Sequence, residues 1–190
     1  LQLDLADGES RELEQLSLSA RSVTQGLAPG GPDLHDTAPI LRAYAVDRCA
    51  ERLAQLGVTD FLVSAGLVLR ARGSKAGSHR GGWRVGLPPA DPAGEPDGVV
   101  LLLDQAIHSS TASGRRASAV SPSALFAAAA TEGWTQRGGS PESIIQAAEE
   151  TAVALRLVDE AGEARVSSAF DALLVSRAGQ PAGASLDKSR

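Results

Sequence analysis

The chain contains 190 residues with a formal net charge of −5, and 43% of its residues are hydrophobic although only 3% are aromatic. This length is sufficient for one domain whose core is built mainly from small aliphatic side chains. The acidic balance argues against a general nucleic-acid-binding or anionic-membrane surface. A single cysteine excludes an internal disulfide framework, and the sequence has no apolar run long enough to span a membrane.

The N-terminal part is predicted to contain one short helix. Leucines recur at helical spacing from Ser10 to about Val23, and Ser10 is suited to cap that helix. Glycines and prolines at residues 26–33 end the pattern, so residues 1–33 are predicted to be a helix and a linker. The chain starts at Leu1 and contains no methionine, which indicates a processed chain or a fragment.

A longer helix is predicted from Asp36, which is suited to cap it, to about Leu56, with Gly57 ending it. Pro39 is tolerated in its first turn because the amides there lack intrahelical partners. The apolar stripe of this helix is predicted to include Ile40, Tyr44, Leu53 and Leu56.

Five short strands follow this helix, separated by loops rich in glycine, proline and aspartate. They are predicted at residues 61–64, 67–71, 83–87, 99–104 and 106–111. Short connections favour pairing between consecutive strands, so the sheet is predicted to be mostly antiparallel.

Two helices and a hairpin are predicted in the C-terminal part. The helices are predicted at residues 121–134 and 140–151. The two strands of the hairpin are predicted at residues 153–158 and 163–166. Residues 34–170 are therefore predicted to form one α+β domain, with a mainly antiparallel sheet flanked by helices. Residues 171–190 are predicted to be a flexible tail.

The most informative segment runs from Ile40 to Asp47 and reads I-L-R-A-Y-A-V-D, and Ser64-Ala65-Gly66 follows after a predicted turn and strand. This order resembles the ApbE family of flavin transferases, whose members carry roughly I-A-K-G-Y-A-V-D followed by N-A-G-G-D. The matching residues are Tyr44, Asp47, Ala65 and Gly66, and the substituted ones are Arg42 for a lysine and Ser64 for an asparagine.

Later stretches extend the resemblance and also interrupt it. Trp83-Arg84-Val85-Gly86 matches a W-R-V-G strand, and Ala112-Ser113-Gly114 resembles a strand that ends in A-T-S-G. Past this point the family continues with D-Y, a hairpin and H-I-I-D-P-x-T-G, which are absent here. The chain instead reaches Val120 and a segment similar to the family's A-P-T-A-L-x-A-D-A-L-A-T-A-L helix. The resemblance thus covers about residues 34–170, with a gap inside it.

The resemblance implies a T-fold-related ApbE architecture and the family reaction, which transfers FMN from FAD to a threonine or serine hydroxyl of a partner protein. That reaction requires a divalent metal, usually magnesium, which prefers hard oxygen ligands. In the family, an aspartate and a threonine four residues apart on the late helix supply two ligands; here these positions are Ala127 and Thr131. Because alanine cannot bind a metal, Thr131 is predicted to be a vestigial metal position and transferase activity to be weakened or lost.

The resemblance also implies a site for a flavin nucleotide. Its predicted residues are Arg42, Tyr44, Asp47, Ser64, Ala65, Gly66 and Ser113. An arginine fork suits phosphate, a tyrosine ring offers a face for stacking, and glycine allows close approach of the backbone. Against this, Ala43 and Leu67 place side chains where the family has glycine. These side chains would narrow the groove in which the flavin nucleotide is expected to bind. The simpler alternative is that Tyr44 belongs to a half-buried core and Arg42 is a solvated helix residue.

Two functional classes therefore remain open. One is a divergent flavin transferase; the other is a non-catalytic flavin- or partner-binding domain, a pseudoenzyme acting in a protein complex. A hydrolase based on His108-Ser109-Ser110 is disfavoured because no paired acid or elbow motif surrounds it, and His108 is predicted to be a strand residue at a sheet edge. The alanine and glycine content is typical of a GC-rich bacterial genome and leaves the cytoplasm and the cell envelope both open.

Overall fold

A computed structural model of the chain describes residues 38–75, 81–89, 93–112, 114–136, 140–151 and 153–177, together with Arg11 and Gln15. These two isolated residues are helical, and the rest of the predicted N-terminal helix and linker lies outside the described residues. The predicted cap Asp36 and the predicted site residue Ser113 also lie outside them.

Four helices and nine strands are formed by the described part of the chain. The helices are α1 (Ala38–Gln55), α2 (Ala124–Gln136), α3 (Pro141–Glu150) and α4 (Ser168–Asp171). The strands are β1 (Phe61–Ala65), β2 (Val68–Arg72), β3 (Trp83–Gly86), β4 (Gly98–Leu102), β5 (Ala106–Ala112), β6 (Arg115–Ser121), β7 (Ala154–Val158), β8 (Ala164–Val166) and β9 (Leu174–Arg177). None of the helices in these ranges combines the length and the apolarity needed to cross a membrane.

The strands form two antiparallel sheets. The larger sheet has six strands in the order β1-β2-β5-β6-β7-β8, and the smaller one has three in the order β3-β4-β9. Helices α1, α2 and α3 pack on one face of the larger sheet, while the smaller sheet and α4 pack on the other. This arrangement confirms the predicted α+β fold with a mainly antiparallel sheet flanked by helices.

The two faces of the larger sheet have different cores. On the helical face, α2 buries mainly alanines, among them Ala124, Ala128 and Ala130. Small side chains let the helix lie close to the sheet and to α1. On the opposite face the core contains larger side chains such as Leu102 and Phe170. A core of this kind needs few aromatic residues, in agreement with the composition.

Helix α1 ends where the sequence predicts. Gly57 adopts φ +82°, and the amide of Val58 donates to the carbonyl of Leu53 at 3.0 Å, which satisfies a terminal carbonyl of the helix. The predicted apolar stripe is wrong at Leu56, which is 64% exposed. The helix instead buries a face that includes Tyr44, Val46 and Ala50.

Strand β6 was not among the predicted strands. It pairs with β5 over its whole length, from Ala112 opposite Arg115 to Ala106 opposite Ser121. Apart from Val120, it lacks the β-branched and aromatic side chains typical of strands, so the local sequence gives little signal. The predicted start of the following helix at Ser121 is therefore three residues too early, since α2 begins at Ala124.

The C-terminal region also differs from its prediction. Within the segment predicted as a flexible tail, Asp171 ends α4 and Leu174–Arg177 form β9. This strand pairs with β4, and Leu174 packs against the core between the sheets. Burial of that leucine and the ladder to β4 explain why the chain is ordered here. Residues 178–190 lie outside the described residues.

Candidate functional site

Asp47, one of the predicted nucleotide-binding residues, connects α1, β2 and α2. Its Oδ1 accepts hydrogen bonds from Nη1 of Arg70 on β2 at 2.6 Å and from the amide of Ala124 at 3.0 Å. Its Oδ2 accepts from the hydroxyl of Ser123 at 2.7 Å and from the amide of Leu125 at 3.0 Å. With four donors on one buried carboxylate, Asp47 fixes α1 to β2 and to the start of α2.

The N-terminus of α2 is satisfied by these contacts. The first amides of a helix lack intrahelical acceptors and carry partial positive charge, so they attract anions. Here Asp47 accepts from the first two amides, and the hydroxyl of Ser123 accepts from the amide of Phe126 at 3.4 Å. The carboxylate thus takes the place that a phosphate would occupy at this helix terminus. Asp47 was predicted to bind the nucleotide, but its oxygens bond the protein itself.

Arg42 and Gly66 are brought together by α1 and the turn after β1. Gly66 adopts φ +62°, a conformation that glycine reaches without strain, and the pair Ala65–Val68 closes the hairpin. A Cβ atom placed on Gly66 would lie 3.9 Å from Nη1 of Arg42, so the guanidinium lies directly against the turn. Arg42 is solvent-exposed. A cation beside uncovered backbone suits a phosphate group.

The other predicted nucleotide-binding residues differ in accessibility. Ser64 is exposed and Ala65 is half-buried, both on β1 next to the turn. Tyr44 is only 4% exposed, so its ring belongs to the core and has no open face for stacking. Leu67 is 56% exposed at the tip of the hairpin. The described structure therefore leaves Arg42, Ser64 and the turn as the accessible part of the predicted site.

His108 lies beneath this surface and forms a buried pair with Thr131. It stands on β5 between β2 and β6, so the prediction of a sheet edge is wrong. Its Nδ1 makes a short hydrogen bond with Oγ1 of Thr131 on α2. The same hydroxyl donates to the carbonyls of Ala127 at 3.1 Å and Ala128 at 3.0 Å. Oγ1 of Thr131 therefore contacts both the imidazole and the main chain of α2, and the tautomer of His108 sets which partner receives the hydroxyl proton.

The imidazole is neutral at physiological pH. Burial, together with the nearby positive charge of Arg42, lowers the pKa of His108 from 6.5 to about 4. Its Nε2 lies 4.0 Å from Oε1 of Glu132, which is beyond hydrogen-bonding distance. Glu132 is itself buried. The interior below the Arg42 surface therefore holds a neutral imidazole, a threonine hydroxyl and one carboxyl group.

The donor set around Thr131 does not fit magnesium. That ion prefers near-octahedral coordination by hard oxygen atoms, usually with one or two carboxylates. Here Oγ1 of Thr131 is engaged by an imidazole and by main-chain carbonyls, and Ala127 offers only a methyl group. Among the described residues, no group of three or more His, Cys, Asp or Glu side chains is placed to hold a metal ion.

A second charged cluster lies on the opposite face of the sheet. Asp97 accepts hydrogen bonds from Nη1 of Arg116 at 2.7 Å and from Nη2 of Arg156 at 3.2 Å, and Arg116 also donates to the carbonyl of Pro88 at 3.1 Å. Burial would raise the pKa of Asp97, but the two guanidinium groups outweigh this and lower it. The cluster ties the loop before β4 to β6 and β7.

Sequence reasoning missed several of these residues. The Ser-Pro-Ser run before α2 was a capping signal, and it marks Ser123 as a residue that bonds the helix start. No comparable signal points to His108, because its partner Thr131 lies 23 residues away on another element. Arg70 likewise contacts Asp47 only through the tertiary fold.

A sequence model of the ApbE family matches residues 13–124, which is more than half of the chain. Thr131 lies beyond this matched range, so its equivalence to a family metal ligand rests on the resemblance of the late helix. None of the curated proteins matches the sequence.

Solved structures with a similar fold are ApbE proteins. The flavinyl transferase ApbE of Pseudomonas stutzeri, in its apo form, matches with a TM-score of 0.67 and 19% identity, over 88% of this chain and 75% of its own. The flavin transferase ApbE of Vibrio cholerae gives 0.66 and 15%, over 86% and 76%. The ApbE protein of Thermotoga maritima gives 0.69 and 15%, over 90% and 79%. At these identities the likeness concerns the fold.

Proposed function

Because the chain belongs to the ApbE family, we propose that it is a flavin-transferase-like protein that binds a flavin nucleotide at the surface formed by Arg42 and residues 64–67. We propose further that its metal-dependent transfer of FMN from FAD to a partner protein is weakened or lost. The two parts of this proposal rest on different observations, the first on the Arg42 surface and the second on the surroundings of Thr131.

The observation that carries nucleotide binding is the position of Arg42 against the Gly66 turn. The guanidinium is exposed, and the glycine leaves the backbone uncovered beside it. A phosphate bound there would receive two parallel hydrogen bonds from the guanidinium. Ser64 on the adjacent strand adds an exposed hydroxyl.

Asp47 and Tyr44 are proposed to support this surface from behind. Asp47 lies just over one turn after Arg42 on α1 and fixes the helix through its bonds to β2 and α2. Tyr44 is buried, so it contributes packing. A helix held in this way presents Arg42 without having to order it on binding. Ser113 stays a prediction, since it lies outside the described residues.

Loss of transferase activity is proposed from the chemistry of the donors. In the family reaction a magnesium ion neutralises charge on the pyrophosphate. The described residues near Thr131 do not offer a matching set of oxygen ligands. Arg42 supplies one positive charge to a bound pyrophosphate, which supports binding but does not replace a dication in the cleavage of that group.

The second candidate function, a partner-binding domain without catalysis, is favoured by exposed leucines beside the same surface. Leu62 on β1 is 40% exposed and Leu67 in the turn is 56% exposed. Large apolar side chains at an accessible sheet edge suit contact with another protein. Under this alternative the domain binds a partner protein and does not bind flavin.

A titration of FAD monitored by flavin fluorescence anisotropy separates the two candidates. We expect the chain to bind FAD and Arg42→Ala to weaken binding by about tenfold or more, equivalent to about 1.4 kcal/mol. Arg52→Ala is the matched control, because this arginine lies near the end of the same helix and bonds only Gln55. Absence of FAD binding by the folded protein would contradict the flavin proposal and leave the partner-binding domain.

A further inference from the structure

We infer that the free edge of β8 and the groove beside it form a docking site for an extended segment of a partner protein in which lysine or arginine alternates with apolar residues. β8 is the last strand of the six-stranded sheet, at the edge opposite to β1 and the Arg42 surface. The inference goes beyond the proposed function, because it does not depend on whether flavin binds.

The main chain of β8 is paired on one side. It bonds β7, and no strand of the described residues pairs with its other side. Next to β8, the amide of Ser167 donates to the carbonyl of Leu155 at 2.8 Å. Since the hydrogen bonds of an antiparallel ladder fall on alternate residues, Arg165 also bonds β7, whereas the main-chain groups of Ala164 and Val166 point away from it. An added strand would find hydrogen-bond partners in these groups.

A groove of about 610 Å³ lies beside this edge, between β8 and α3. The half-buried side chains of Ile145 and Val166 give it an apolar part. Its acidic part is formed on α3 by Glu142, Glu149 and Glu150. Residues 142, 145 and 149 follow helical spacing and share one face of the helix. A segment that pairs with β8 would therefore meet apolar contact and negative charge together.

Carboxylates dominate the charge of the groove. Among the described residues that line it, Arg165 alone is basic, and its Nε donates to Oε1 of Glu142 at 2.7 Å. The hydroxyl of Ser168 donates to Glu149 at 2.6 Å and its amide at 2.5 Å, and these bonds lower the pKa of Glu149, which keeps it ionised. Glu149 and the exposed Glu150 lie in the last turn of α3, where the helix dipole is also negative. The excess negative charge selects a basic segment.

A second copy of this chain does not suit the same edge. The chain carries a net charge of −5. Pairing of two β8 edges about a twofold axis would bring the glutamates of both copies together, and like charges across an interface repel. The β1 edge provides a comparison within the same sheet, because the side chain exposed there is the apolar Leu62.

The first test is an anisotropy titration with a labelled peptide of alternating lysine and valine, compared with a glutamate–valine peptide of equal length. We expect the basic peptide to bind at least about tenfold more tightly. Its affinity should fall as salt rises, because exposed charges are screened. The basic peptide methylated on every main-chain nitrogen keeps its charge but cannot add as a strand, so it should lose most of the affinity. Equal binding of the basic and acidic peptides, or undiminished binding of the methylated one, would overturn the inference.

A charge reversal locates the binding surface. Glu150→Lys should weaken binding of the basic peptide by about threefold or more. Glu51→Lys is the matched control, since it makes the same change of charge at an exposed position of α1 and should leave the affinity unchanged. Equal effects of the two substitutions would show that the peptide responds only to the overall charge, and would contradict the proposed site.

Hydrogen exchange of the unmodified chain then identifies the edge. The amides of Ala164 and Val166 should exchange rapidly in the free chain and slowly with the basic peptide bound. Slow exchange already in the free chain would mean that this edge is covered, by a second copy if the protection rises with protein concentration and by the chain itself if it does not. Protection that appears at β1 instead would place the peptide on the other edge. Each of these results would overturn the inference.

Discussion

Asp47 on α1 contacts the N-terminus of α2, and Thr131 lies within α2; both were assigned to the site by resemblance to one family. Asp47 accepts four hydrogen bonds there, one from Arg70 on β2 and three from the start of α2. Thr131 lies two turns further along and is bonded by the imidazole of His108. At the first point the family residue is present with a full set of partners. At the second, the resemblance predicts an acidic companion where this chain has Ala127.

The contacts of Asp47 and the surroundings of Thr131 differ for a physical reason. Two of the donors to Asp47 are main-chain amides, which any helix start provides whatever its side chains are. That contact depends on the fold alone. The surroundings of Thr131 depend on individual side chains, so replacing them changes the chemistry and leaves the fold intact. The contact of Asp47 with the start of α2 can therefore be kept while the side chains around Thr131 change.

The largest expected effect is at the framework contact. Asp47→Ala removes the acceptor for two helix amides and leaves Arg70 without its carboxylate, so the free energy of unfolding should fall by about 3 kcal/mol. Chemical denaturation measures this change. Glu51→Ala, one turn later on the same helix, removes only an exposed pair with Arg48 and should stay within about 0.5 kcal/mol. Equal losses in both variants would contradict the framework role of Asp47.

The next effect concerns the pH dependence of stability at the chemical site. Unfolded chains protonate His108 near pH 6.5, whereas the folded chain does so near pH 4, so the unfolded state binds more protons between these values. Stability should therefore decrease as the pH falls through this window, by about 3 kcal/mol for a shift of this size. Arg42 and Glu132 lie near the imidazole and are present in both proteins that are compared.

The matched variant for this prediction is His108→Asn. The difference in unfolding free energy between the two proteins, followed by urea denaturation at a series of pH values, isolates the histidine from carboxylates that titrate in both. The variant should lose the part of the slope that His108 supplies. A constant difference from pH 6.5 to pH 4 would mean that the imidazole is exposed or already charged.

A smaller effect is expected at Thr131. Thr131→Val keeps the shape but leaves Nδ1 of His108 without its hydrogen-bond partner in the core, so stability should fall by about 1–2 kcal/mol. In a background with His108→Ala the same substitution should have a smaller effect, and a double-mutant cycle measures the coupling. Additive effects would show that the pair contributes nothing as a pair.

The smallest effect is expected at the tip of the first hairpin. Leu67 is 56% exposed, so Leu67→Ala should leave stability within about 0.5 kcal/mol. If its side chain narrows the flavin groove, FAD should bind more tightly by less than about tenfold, measured by anisotropy. Weaker binding would instead mean that Leu67 contacts the ligand.

The sequence was sufficient for the elements with strong local signals. The helix ending at Gly57, the hairpin around Gly66, the two late helices and the closing hairpin all carry caps, turns or periodicity. Strand β6 was missed because small and charged residues form it, and pairing on both sides determines it. At the site, Arg42 and Gly66 were predicted together. The roles of Asp47 and His108 were not, because their partners are 76 to 78 and 23 residues away, respectively.

The central claim is that this chain keeps the ApbE framework and that the proposed flavin site at the Arg42 surface binds without a metal ion. The most direct test is isothermal titration of FAD into the unmodified chain, once with excess magnesium and once with a chelator. The account predicts the same affinity in both titrations, with Arg42 as the main source of positive charge. Binding that requires magnesium, or becomes about tenfold tighter with it, would contradict the account.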